Sequence, residues 1–183
     1  MDSALREMIA VAGGLAGVGC REDFSLALNR HWRSHERSGQ PLSLLITEID
    51  YFCQYQWACG ITASDECLDS IATAILESIR QPAAQVFAWG PGRFAVSLPE
   101  TSMLEANRVA DEIRFQSAAL VVPHPCSPVA RSITVTVGLA TARPASGVSP
   151  MTLVRDAELG LVQSRGARRT CVGGRDHRAV ALA

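Results

Sequence analysis

His31 and His35 stand one helical turn apart, a spacing at which two imidazoles can share a metal ion. No third ligand accompanies them, and they are read as exposed helix histidines. The cysteines at 20, 53, 59, 67, 126 and 171 form no Cys-x-x-Cys pair and no regular framework, which fits small buried thiols in a reducing compartment better than a zinc centre. Glu48 and Asp50 close the apolar run LSLLITEID, so their carboxylates emerge at the C-terminal end of a strand, on a rim. In FAWGPGRFAVSLP, Gly90, Pro91 and Gly92 join two apolar runs in what reads as a tight hairpin turn, with Arg93 just past the bend and Phe94 opening the second run.

The elements that must position these groups follow from periodicity. Phe24, Leu28, His31 or Trp32, and His35 recur every three or four residues and predict an amphipathic helix from Arg21 to Ser38, ended by Gly39-Gln40-Pro41. Residues 42–50 then form a buried central strand. Leu68, Ile71, Ile75 and Ile79 mark a second helix, with Thr62 and Asp65 placed as a capping box. After the hairpin, Ser102 and Glu105 repeat that signature ahead of a third helix, and the Pro-rich VVPHPCSPVA connects it to a β-branched strand within residues 132–142. A fourth helix spans 150–166, and a short strand follows near Thr170 to Val172. A hairpin forces antiparallel neighbours, so the order predicts an α/β sandwich with a mostly antiparallel sheet flanked by helices.

The composition narrows the function classes. With 183 residues, 48% hydrophobic content and a net charge of -1, the chain supports one globular domain with a real core. All 17 basic residues are arginine, without a basic cluster before the tail, which argues for a compositional bias of the source and against a nucleic-acid partner. The opening MDSALREMIAVAGGLAGVGC imitates a lipoprotein signal ending at Cys20, yet Asp2 and Glu7 lie in its n-region and Gly13, Gly14 and Gly17 break the apolar stretch. A cytoplasmic protein with no membrane span is expected.

The segments LAGVGCREDF, SGQPLSLLITEIDYF, GITASDECL, FAWGPGRFAVSLPET, VPHPCSPV, TVTVGLATA and RDAELGLVQSRG occur in an order and at spacings that resemble the GGDEF domain, the diguanylate cyclase module of bacteria, over residues 15–172. Residues 1–14 are then a lead-in and 173–183 a frayed tail. The resemblance implies a ferredoxin-like, nucleotidyl-cyclase-like α+β fold. It also implies a reaction in which two domains, each holding GTP and divalent metal, condense their substrates to cyclic di-GMP. Phosphoryl transfer of this kind depends on positioning and on metal ions that neutralise phosphate oxygens.

Carried over, the family's first metal-binding Asp falls on Glu48, and Asp50 matches the next acidic position. The signature turn falls on Gly90, Pro91, Gly92, Arg93 and Phe94, where the third and fourth positions are acidic in the family. A neutral residue and a cation stand there instead. An arginine ~4 Å from a metal ion opposes it by roughly 1 to 4 kcal/mol, depending on the local dielectric. The phosphate-gripping positions fall on Cys53, Gln163 and Ala167, Pro91 removes a backbone N–H from the turn, and the product-inhibition motif falls on Gln81 to Ala84 and is absent. On the guanine side the family's Asn falls on Gln56 and its Asp on Asp65, although Asp65 is as well explained by the helix dipole.

These departures lead to the expectation of a catalytically inactive domain that requires no cofactor and acts through a protein partner or homodimer in a cyclic di-GMP, surface-polysaccharide or secretion pathway. Two alternatives stand beside it. One is a module sensing GTP or cyclic di-GMP through Gln56 and Asp65, with Mg2+ accompanying the nucleotide. The other is a working cyclase in which Glu48 and Asp50 place a single ion. The first helix, with Trp32 among His31, Arg33, His35, Glu36 and Arg37, is the expected amphipathic contact surface, with an ordinary surface helix as the alternative.

Overall fold

A computed structural model describes residues 17–165 and 171–172. Six strands form one sheet in the order β1-β3-β4-β2-β5-β6, comprising β1 Val18–Gly19, β2 Leu42–Ile49, β3 Gln85–Gly90, β4 Arg93–Pro99, β5 Val135–Ala142 and β6 Cys171–Val172. β2 pairs antiparallel with both β4 and β5, β3 pairs antiparallel with β4, and only the short outer strands β1 and β6 run parallel to their neighbours. Among the described residues four helices cover the sheet: α1 Arg21–Ser38, α2 Phe52–Ser78, α3 Met103–Ala119 and α4 Met151–Ser164. This is the predicted sandwich with its mostly antiparallel sheet.

The two-residue alternation of the central strands creates two cores. Leu45 and Ile49 of β2, with Val96 and Leu98 of β4, pack against Ile71 and Ile75 of α2 and Ile113 of α3. Leu44 and Ile46, with Ala95, face the other way onto Phe24, Leu28 and Trp32 of α1 and Leu153 and Leu161 of α4. Each such side chain contributes roughly 1.5 to 3 kcal/mol by leaving water. By the same alternation Glu48 and Arg93 share the α1 and α4 face. α4 approaches the sheet so closely that a Cβ on Gly138 would lie 2.2 Å from the Leu161 backbone nitrogen.

α1 has the predicted ends, with Gly39 in the left-handed conformation (φ 69°) as its C-cap. The expectation of exposed helix histidines is corrected. His35 is buried at 4% exposure because it continues the stripe of Phe24, Leu28 and Trp32. Both its ring nitrogens are engaged: Nδ1–H donates to the His31 carbonyl at 2.7 Å, and Nε2 accepts from the Glu100 N–H at 3.1 Å. His31 is partly buried, with Nδ1 3.0 Å from Ser97 Oγ. Trp32 belongs to the same core, so the contact face expected around it is corrected too: the exposed side of α1 is polar apart from Leu26.

α2 starts at Phe52, ten residues before Thr62, and is interrupted at Gly60 (φ 83°, ψ 175°). The capping box expected from Thr62 and Asp65 is not formed among the described residues; the hydroxyl that bonds back across the break is that of Ser64, to the Gly60 carbonyl at 2.8 Å. The Ser102 and Glu105 box is formed at α3, with Ser102 N–H donating to Glu105 Oε2 at 2.8 Å. The expected tail, residues 173–183, and lead-in, residues 1–14, lie outside the described residues.

Candidate functional site

The antiparallel register of β2 and β4 sets Glu48 directly opposite Arg93 at the end of the ladder. Both side chains point to the face covered by α4, whose Glu158 meets them from above. Arg93 Nη2 donates to Glu158 Oε2 at 2.7 Å, and Arg93 Nε lies 3.3 Å from Glu48 Oε2, an ion-pair contact too bent for a hydrogen bond. Arg165, just past the end of α4, bonds both oxygens of Glu48, at 2.7 Å for Oε1. That hydrogen bond holds the Arg165 proton still more tightly than usual. Trp89 Nε1–H donates to Glu158 Oε1 at 2.8 Å, and the Arg21 guanidinium stacks 4.5 Å from the Trp89 ring centre. The result is an alternating chain, Arg165–Glu48–Arg93–Glu158–Trp89, that binds sheet, hairpin and α4 together.

The hairpin turn is shaped by the same contacts. Gly90 pairs with Arg93, leaving Pro91 and Gly92 as the two turn residues, and Gly92 adopts φ 67°. Its carbonyl accepts from the Ile49 N–H at 2.8 Å, which ties the turn to the end of β2. A Cβ on Gly92 would sit 2.6 Å from Phe52 Cγ. Glycine is therefore required here twice, for its φ and for the close approach. Phe94 is buried in the core.

Asp50, the other expected metal ligand, has both carboxylate oxygens held from within the protein. Thr134 Oγ1 donates to its Oδ2 and Thr136 Oγ1 to its Oδ1, both at 2.6 Å. Beside it opens a cleft of about 640 Å³, bordered by Asp50, Cys53, Pro91, Arg114, Thr134 and Arg165 among others. The loop leading to β5 forms part of its wall, and His124 pins that loop to the start of α2, its Nε2 3.2 Å from the Tyr51 carbonyl oxygen.

The structure thus brings Glu48, Asp50, the turn and Cys53 together and leaves other expected residues apart. Gln56 and Asp65 lie on opposite sides of the Gly60 break in α2 and do not border this cleft. Gln163 is exposed on α4, Gln81 to Ala84 form a turn ahead of β3, and Ala167 lies outside the described residues. Sequence reasoning missed Glu158 and Arg165. The available signal was their position: each falls one turn from a buried α4 residue, Val154 or Leu161, so each borders the stripe that meets the sheet.

These residues do not fit a divalent metal ion. Glu48 already serves two guanidinium groups, Asp50 two hydroxyls, Gly92 has no side chain, and Arg93 is a cation. Among the described residues no cluster of three or more His, Cys, Asp or Glu is placed to hold a metal.

Comparison with known proteins places this geometry in context. The family described as "Diguanylate cyclase, GGDEF domain" matches residues 11–171. The response regulator PleD of Caulobacter vibrioides is 25% identical over 169 residues, covering 91% of this chain and 36% of that protein. The chain thus spans about a third of the length of that relative. Among solved structures, the coiled coil and GGDEF domain of DgcB from Caulobacter crescentus in complex with c-di-GMP superposes with a TM-score of 0.76 at 23% identity, covering 88% of this chain and 84% of that one. Diguanylate cyclase SiaD from Pseudomonas aeruginosa, in complex with its activator SiaC, gives 0.74 at 22% identity, over 93% of this chain and 64% of that one.

Proposed function

The chain belongs to the GGDEF diguanylate cyclase domain family, and from that premise we propose that this domain is catalytically inactive and acts as a regulatory or accessory element, through protein contacts, in a bacterial cyclic di-GMP, surface-polysaccharide or secretion pathway. The observation that carries this reading is Arg93, fixed between Glu48 and Glu158 where the resemblance calls for an acidic residue. Pro91, Cys53 and Gln163 support it, because none supplies a charge to a triphosphate. A protein partner has a parallel in SiaD, which was solved with its activator SiaC. The test is affinity capture from the source organism followed by reconstitution with the purified candidate. A stoichiometric complex supports the reading, and failure to reconstitute any complex opposes it.

The cleft favours a second reading, nucleotide sensing without turnover. About 640 Å³ lies within the range of small-molecule sites. DgcB was solved with c-di-GMP; away from this cleft, the resemblance puts Gln56, still an amide, and Asp65 at the guanine positions. Calorimetry with GTP and with cyclic di-GMP separates the two readings: heat with either supports sensing, and no heat with either at millimolar ligand removes it.

A further inference from the structure

We propose that Arg93 is itself the permanent cation of this site, so that the native domain takes no free divalent ion there, and that Glu158 is the residue that positions it. The guanidinium is bracketed by two carboxylates that approach from different elements, Glu48 from β2 and Glu158 from α4. Neither carboxylate is free to turn away. The Trp89 indole N–H fixes one oxygen of Glu158 and presents the other to Arg93, while Arg165 holds Glu48 from its outer side.

A guanidinium stays charged at any pH a protein survives, so this cation does not leave by losing its proton. It is also tethered. A divalent ion arriving from solution competes with a group whose local concentration is set by a short chain rather than by the medium. Its protein ligands, one or two carboxylates with water completing the shell, would have to come from carboxylates that are already bonded. Removing the guanidinium reverses the balance: two carboxylates that face one guanidinium lose their shared counter-charge and become ligands for a hard cation. The inference deepens the reading of an inactive domain and rests on it only for the meaning of the site. Its test measures ion binding, so a failure here leaves the partner and nucleotide tests untouched.

The experiment follows free Mn2+ by electron paramagnetic resonance, with the metal alone as probe, in the native chain, Arg93→Ala, and Arg93→Ala with Glu158→Gln. The native chain is expected to leave Mn2+ free into the millimolar range, Arg93→Ala to bind about one equivalent at least tenfold more tightly, and the double variant to return to native behaviour. Should Arg93→Ala fail to fold, Arg93→Gln replaces it, a neutral variant that keeps the length of the side chain near native. Binding by the native chain as tight as by the arginine variants overturns the proposal. So does the absence of any gain in a folded arginine variant, or a gain that survives Glu158→Gln.

Discussion

Gly92 decides what the hairpin turn can become. Its φ of 67° and the 2.6 Å approach of a built Cβ to Phe52 Cγ mean that any side chain there must move the start of α2. Gly92→Asp is expected to destabilise the fold by about 1 to 3 kcal/mol, the usual range for overpacking, with positive-φ strain included. Chemical denaturation against the native chain measures this, and an unchanged midpoint would refute the packing argument. The double change Gly92→Asp with Arg93→Glu is expected to form no cyclic di-GMP, because Cys53 and Gln163 still offer phosphates no charge; appearance of product in a chromatographic assay would show the turn alone to be limiting. The buried Cys67 thiol is raised to about 11, by burial first and Cys59 second, so it is expected to react with a thiol reagent at pH 8 far more slowly than exposed Cys53.

At the scale of elements, two contacts fix helices to the sheet. α4 rests on the bare backbone of Gly138, where a Cβ would meet the Leu161 nitrogen at 2.2 Å and the Ala157 carbonyl at 2.3 Å. Gly138→Ala is expected to cost about 3 kcal/mol, because backbone cannot step aside as a side chain tip can. A thermal midpoint within a degree or two of native would contradict this. α1 is held through His31 and His35. Burial lowers the His31 pKa below its ordinary 6.5, with Arg30 and His35 adding repulsion. The unfolded chain therefore binds a proton there more readily than the folded one. Stability is full above about pH 6.5 and declines as pH falls from there towards the lowered folded value. In denaturation series between pH 7 and 5, His31→Gln is expected to flatten part of that decline.

These elements also show what was legible in the sequence and what was not. Periods of 3.6 and 2 expose the stripe of α1, the central strand and the hairpin directly, because one buried face stamps itself on residue order. His35 reads as exposed from its polarity alone, yet its place on the stripe buries it and two backbone groups satisfy its ring. The early start of α2 was hidden behind Gly60, which breaks the pattern without ending the helix. Glu158 and Arg165 lie over a hundred residues from Glu48, and no local spacing can reveal a partnership that only the β2–β4 register and the docking of α4 create.

At the scale of the whole molecule, the sheet and its flanking helices are those of the family's fold. At the turn the cation Arg93 is compensated internally by Glu48 and Glu158. Among the described residues, no helix is long and apolar enough to cross a membrane. Trp57, at 87% exposure on the first limb of α2, is the most exposed large apolar side chain described. The measurement that tests the central claim most directly is incubation of the purified chain with GTP and Mg2+, followed by chromatography for cyclic di-GMP. The account predicts no product above a protein-free blank, for the native chain and for Glu48→Ala alike. Product formed by the native chain and abolished by Glu48→Ala would contradict it.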